Sequence, residues 1–208
     1  MSAKREAVFA HWPNRITALR FVGALALFVV FAQFEQATTA EVEATPRIAL
    51  AFWLFIVVAV SDVLDGWLAR RGNHITAFGR IADPFVDKVL VLGAMIFLAV
   101  MPWSRQYFPA WIVVVILARE FLVTGLRGYV ESLGAEFPAD AFGKVKMLTQ
   151  CFAIGIVIGM HAFRWSFDAR STWSIVAQVF VWATLATSVG SGVSYALKTR
   201  RILSEQSA

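Results

Sequence analysis

Charged residues are scarce in this chain. Asp, Glu, Lys and Arg make up 16% of its 208 residues, against about 25% in an ordinary soluble domain. Apolar residues make up 59%, against roughly 45–50%. A soluble domain of that composition would carry a mostly apolar surface, so the solvent for much of this chain is lipid. The same balance excludes an intrinsically disordered chain. The single cysteine, Cys151, excludes an internal disulfide framework and gives no sign of an oxidising compartment. There is no long linker, no low-complexity stretch and no alternating strand pattern. No nucleic-acid partner is expected.

What is present is a series of apolar runs. A spanning helix takes about 20 residues. Runs at 16–34, 48–60, 81–101, 109–127, 145–162 and 172–197 predict an all-α membrane protein with six transmembrane helices. The second run continues through an aspartate-bearing stretch to about residue 71. The first is longer than the 7–15 residues of a signal-peptide core and reads as a retained span. Residues 1–12 read equally as an interfacial helix or a frayed terminus. The expected division is a juxtamembrane segment at 1–12, a six-helix domain at 13–198 and a tail at 199–208.

An even number of spans puts both termini on one side. Twelve cations sit at that set of ends, among them Lys4, Arg5, Arg15, Arg70, Arg71, Arg80, Lys198, Arg200 and Arg201. The opposite ends hold four: Arg47, Arg105, Arg164 and Arg170. The positive-inside rule therefore predicts cytoplasmic termini. Trp103, Trp111, Trp165 and Trp173 fall near the outer ends and read as an interfacial belt. Gly155 and Gly159 form a G-x-x-x-G, with Gly125 and Gly128 close to that spacing. Such glycines serve either packing within the chain or a homodimer face.

The informative stretch is DVLDGWLARRGNHITAFGRIADPFVD, residues 62–87. Four aspartates within or beside apolar spans are costly unless paired, solvated or metal-bound. Asp62 and Asp65 are i, i+3, and Asp83 and Asp87 are i, i+4. Two helices joined by the polar turn at 71–76 can present two carboxylates each to one space. Four carboxylates in low dielectric repel and tend to take up protons. Divalent cations with hard oxygen ligands relieve that repulsion. Gly66, Ala69 and Gly79 leave room beside the carboxylates, and Arg70 is suited to phosphate. No Ser-His-Asp set or cysteine pair adjoins the cluster, so nothing argues for a covalent enzyme intermediate. His74, in the turn, reads as a solvated loop residue.

Asp62, Asp65, Gly66, Ala69, Arg70, Gly79, Asp83 and Asp87 match D-x-x-D-G-x-x-A-R-x8-G-x-x-x-D-x-x-x-D at every defined position. The segment resembles the signature of the CDP-alcohol phosphatidyltransferase family. That resemblance implies a six-helix membrane enzyme that moves a phosphatidyl group from a CDP-linked lipid to an alcohol and releases CMP. It implies two divalent cations, Mg2+ or Mn2+, on Asp62, Asp65, Asp83 and Asp87, with Asp87 as the base. Asp62, Gly66, Ala69, Arg70 and Gly79 would match nucleotide-lipid positions.

Three further segments narrow the resemblance: WPNRITALR with Asn14, Thr17 and Arg20; AREF with Arg119 and Glu120; and GKVKMLTQ with Lys144, Lys146 and Gln150. With DPFVDK, they resemble the branch that takes CDP-diacylglycerol and glycerol-3-phosphate and resides in the bacterial inner membrane. A phosphatidylglycerol acceptor is the rival within the family. A dianionic acceptor needs cations, and Arg119, Arg127, Lys144 and Lys146 are the candidates. Arg127, Lys144 and Lys146 read equally as positive-inside anchors. Arg119, deeper in its span and beside Glu120, reads as functional or as a buried pair. Asn14 and Thr17 are candidate contacts for the nucleotide, with Asn14 equally readable as a helix cap.

Intramembrane aspartates also serve ion transporters. Here they lie towards the ends of their spans, and no second copy of the motif suggests repeated halves. A structural scaffold gives no reason for four spaced carboxylates.

Overall fold

A computed structural model of the chain describes residues 12–72, 77–134 and 141–206, with side chains left aside at 12–13, 62–81, 83, 141–142 and 205–206. The proposed N-terminal interfacial segment and His74 lie outside the described residues. Among those described, every regular element is a helix: α1 (Trp12–Ala32), α2 (Thr39–Val42), α3 (Pro46–Gly72), α4 (Ala77–Val100), α5 (Ala110–Ser132), α6 (Ala141–Ala162) and α7 (Phe167–Gln206).

Proline marks several helix ends. Pro46 opens α3, and Pro109 stands just ahead of α5. There a missing N–H costs nothing. Pro102 follows the end of α4. Pro84 lies inside α4 and cannot donate to the carbonyl of residue 80.

The six long helices pack as a closed ring. α1 packs on α3 and α4, α3 on α6, α6 on α7, α7 on α5, and α5 on α4. Contacts of α4 with α3 and α6 cross the middle. The core is apolar, with Leu27, Phe31, Phe55, Met95, Ile116 and Ile154 fully enclosed. The outside is apolar as well, with Leu19, Val57, Val114, Phe121 and Val179 exposed. Several charged and amide side chains are instead inside, among them Asn14, Arg20, Arg119, Glu120, Lys146 and Gln150. Charged and amide groups turned inward, away from an apolar coat, are the arrangement lipid imposes.

Among the described residues, three helices are long and apolar enough to cross a membrane, over Asn14–Ala32, Gly143–Ala162 and Phe167–Ser204, and Pro46–Ser61 is a shorter apolar stretch. The other long segments carry the ionic residues, including Asp87 and Lys88 on α4 and Arg119, Glu120 and Arg127 on α5. The last helix exceeds the run at 172–197 and continues through the expected tail to Gln206. Its 40 residues span about 60 Å at 1.5 Å per residue, roughly twice the hydrocarbon thickness.

The loop-bearing end of the ring is closed by specific contacts. The Ala44 N–H donates to the carbonyl of His161 at 2.7 Å. The Trp103 ring meets the His161 ring edge-on, 4.8 Å between centroids. Arg170 pairs with Glu43, and the Tyr107 hydroxyl accepts from Ser174 at 3.3 Å. Hydrogen bonds from the Thr38 N–H, and then its hydroxyl, hold the exposed Glu41 carboxyl below the usual carboxylate range. Trp111, Trp165 and Trp173 are exposed, as an interfacial belt requires. Trp103 departs from that reading, because it is wholly buried against His161 of α6. Gly155 and Gly159 face Phe52, Phe55 and Ile56 of α3, so they serve packing within the chain. Gly125 and Gly128 face open space.

Candidate active site

The opposite end of the ring gathers the ionic residues. Asp62, Asp65, Gly66, Ala69 and Arg70 lie on the last turns of α3, and Gly79, Asp83 and Asp87 on the first turns of α4. Both helices are continuous through these positions, so the i, i+3 and i, i+4 spacings are helical in fact. Of these residues only Asp87 has a described side chain. Its carboxylate is partly buried and receives a hydrogen bond from Arg20 Nη2 of α1.

Arg20 follows Asn14 and Thr17 on one buried face of α1. α1 begins at Trp12, so Asn14 lies within its first turn and not ahead of it, where a capping residue would stand. Arg20 and Asp87 join the two halves of the candidate site.

Across the interior, Glu120 organises a second cluster. Its Oε1 accepts from Arg119 Nη1 at 2.7 Å and from Lys146 Nζ of α6. Its Oε2 lies 4.0 Å from Lys88 Nζ of α4. Lys88 also donates to Thr124 Oγ1. Three cations around one carboxylate leave a formal surplus of positive charge. Burying such a group is expensive, and an anionic ligand would offset that cost.

α7 supplies the supports. Arg119 Nη2 donates to Ser191 Oγ, and Arg127 Nη2 donates to Tyr195 Oη at 2.9 Å. The guanidinium carbons of Arg119 and Arg127 each lie 5.7 Å from the centre of the Tyr195 ring, within cation–π range. A Cβ at Gly192 would stand 3.0 Å from Arg119 Cγ. Glycine there leaves the channel in which the arginine lies.

A cavity of about 190 Å³ connects the two clusters. Asp87 lines it, as do Lys88, Glu120, Lys146 and Gln150. The four acceptor-site candidates therefore separate. Arg119 and Lys146 meet through Glu120, and Arg127 joins them through Tyr195. Lys144 is exposed and lines a different, apolar groove with Val60 and Leu148. Two residues along a helix is roughly 200° around its axis, so Lys144 and Lys146 face opposite ways.

Residues 10–190 match the CDP-alcohol phosphatidyltransferase family. The chain belongs to that family. It is 34% identical over 188 residues to the CDP-diacylglycerol–glycerol-3-phosphate 3-phosphatidyltransferase of Bacillus subtilis, covering 88% of this chain and 92% of the relative. The enzyme of the same name from Rickettsia felis is 31% identical over 171 residues, covering 76% and 90%. A cardiolipin synthase (CMP-forming) of Streptomyces coelicolor is 31% identical over 159 residues, covering 73% and 69%.

The family implies divalent cations. Asp62, Asp65, Asp83 and Asp87 are oxygen donors of the kind Mg2+ and Mn2+ take, and they fall on two unbroken helices. The residues therefore fit the group. Among the described residues no three His, Cys, Asp or Glu side chains converge as a metal site. The side chains of Asp62, Asp65 and Asp83 are not among those described.

Sequence reasoning gave no role to Arg20, Lys88, Ser191, Gly192 or Tyr195. Arg20 and Lys88 did carry a signal, since each is a cation next to apolar residues in a span. Ser191, Gly192 and Tyr195 carried none, because small and aromatic residues are ordinary in membrane helices.

Proposed function

We propose that this protein transfers the phosphatidyl group of CDP-diacylglycerol to glycerol-3-phosphate, giving phosphatidylglycerophosphate and CMP. The observation that carries the reading is the cation cluster around Glu120, in which Arg119 and Lys146 are buried and Lys88 and Lys146 share one cavity with Asp87, in a member of this family. An acceptor with a phosphate at one end and a hydroxyl at the other suits those two walls.

In this reading the acceptor phosphate lies against the cations, with Arg127 adding charge through Tyr195. Asp87 takes the proton of the acceptor's primary hydroxyl. That oxygen attacks the phosphorus bearing diacylglycerol, and the bond to the CMP oxygen breaks with its electron pair. Two divalent cations, when held by Asp62, Asp65, Asp83 and Asp87, supply neutralisation of the pyrophosphate charge. Asn14, Thr17, Gly66, Ala69, Arg70 and Gly79 border the nucleotide lipid. Arg20 orients Asp87. Holding both reactants in line supplies much of the acceleration in phosphoryl transfer.

The six long helices are six spans of a bacterial inner membrane, with both termini and the site on the cytoplasmic side. The distribution of cations between the two sets of ends supports that orientation.

The test is CMP release by the purified protein with CDP-diacylglycerol, Mg2+ or Mn2+, and one acceptor at a time. Release with glycerol-3-phosphate is expected. The similarity to a cardiolipin synthase favours a second reading, in which phosphatidylglycerol is the acceptor. Release with phosphatidylglycerol alone would establish that reading in place of the first.

A further inference from the structure

Gln150 is the one uncharged polar side chain on the wall of the 190 Å³ cavity, among the described residues. It lies on α6 one turn beyond Lys146, so the two share a face. Its side chain is buried, and its Nε2 has no hydrogen-bond partner. A buried N–H without a partner is costly, so such groups in native structures call for an explanation. The remaining cavity wall includes Val91, Leu92 and Met147, which offer no strong acceptor.

The geometry points to Gln150 as the residue that reads the acceptor's secondary hydroxyl; this rests on the glycerol-3-phosphate reading above. The charged walls are already assigned by chemistry. The cations suit the phosphate, and Asp87 suits the reacting primary hydroxyl. Between those two ends of a three-carbon acceptor stands one more polar group, the hydroxyl on the central carbon. A neutral amide donor matches a neutral hydroxyl acceptor, whereas a phosphate would be better served by a cation. Gln150 would thus set the orientation of the carbon chain and reject acceptors that lack the central hydroxyl. Sites built to hydrogen-bond a hydroxyl reject the deoxy analogue far more strongly than apolar pockets reject a surplus methylene.

The test compares glycerol-3-phosphate with 3-hydroxypropyl phosphate, which has the same ends but no central hydroxyl. Wild-type full-length protein should favour glycerol-3-phosphate in kcat/KM by roughly ten- to a hundredfold. In Gln150→Met that preference should vanish, through a fall with glycerol-3-phosphate and little change with the analogue. The KM for CDP-diacylglycerol should hold. A wild-type protein that treats the two acceptors alike overturns the proposal without any variant. So does a Gln150→Met protein that loses both activities equally. An absence of CMP release with glycerol-3-phosphate would instead remove the functional reading itself, and this inference with it.

Discussion

The two ends of the helix ring solve opposite problems. At the loop-bearing end Trp103, His161 and Phe108 are wholly or almost wholly enclosed, and polar contacts such as Ala44 with His161 and Ser174 with Tyr107 tie the loops to the helices. At the other end Arg20, Arg119, Glu120 and Lys146 are nearly as buried, yet they are charged, and Glu120 and Lys146 line a cavity. One end is filled with rings and excludes solvent. The other stores charge around empty space. The difference teaches that burial alone does not separate framework from site in this protein. What separates them is that the enclosed groups at one end are rings, while those at the other are charged and border a cavity.

That contrast breaks cleanly under mutation. The largest effect is expected for Asp87→Asn. CMP release should fall by about 10²–10⁴-fold, the usual contribution of a positioned base, with the thermal midpoint in detergent largely retained. Substantial remaining turnover would take the base role from Asp87. Trp103→Ala should do the reverse, lowering stability by about 3–5 kcal/mol while leaving both KM values near wild type. A selective rise in the acceptor KM would show that the loop-bearing end reaches the chemistry.

Lys146→Gln should raise the KM for glycerol-3-phosphate by roughly tenfold, as loss of a charged hydrogen bond implies, with less change for CDP-diacylglycerol. Lys144→Gln should change it little, because that side chain lines a separate groove. Equal effects from the two lysines would dissolve the cluster described here. Glu43→Gln removes a partly exposed ion pair with Arg170. It should cost no more than about 1 kcal/mol, read as a small shift in thermal midpoint.

Periodicity and spacing made much of this legible. The apolar runs located the long helices, and the aspartate intervals placed four carboxylates on two consecutive ones. Arg119 beside Glu120 was readable as a buried pair, and the structure adds Lys146 and Lys88 to it. Legibility failed where a contact joins helices distant in sequence. Arg20 meets Asp87 across 67 positions, and Arg119 meets Ser191 across 72. No local pattern encodes either meeting. Lys144 and Lys146 looked like partners because they share a level along the membrane normal, but level does not specify the side of a helix. The long α7 shows a similar limit. Hydropathy reports where lipid ends, whereas a helix ends where its backbone hydrogen bonding does.

The surplus positive charge around Glu120 has a consequence for the membrane as a whole. An enzyme that makes anionic lipid renders its own surroundings more negative. A surface potential near −30 mV depletes a dianion at the interface by about tenfold relative to bulk water. Exposed lysines could counter this only weakly, since mobile ions screen them within a Debye length of about 8 Å. A buried cluster escapes most of that screening. The protein thereby carries its own local potential of the opposite sign, and its supply of acceptor need not fail as product accumulates around it.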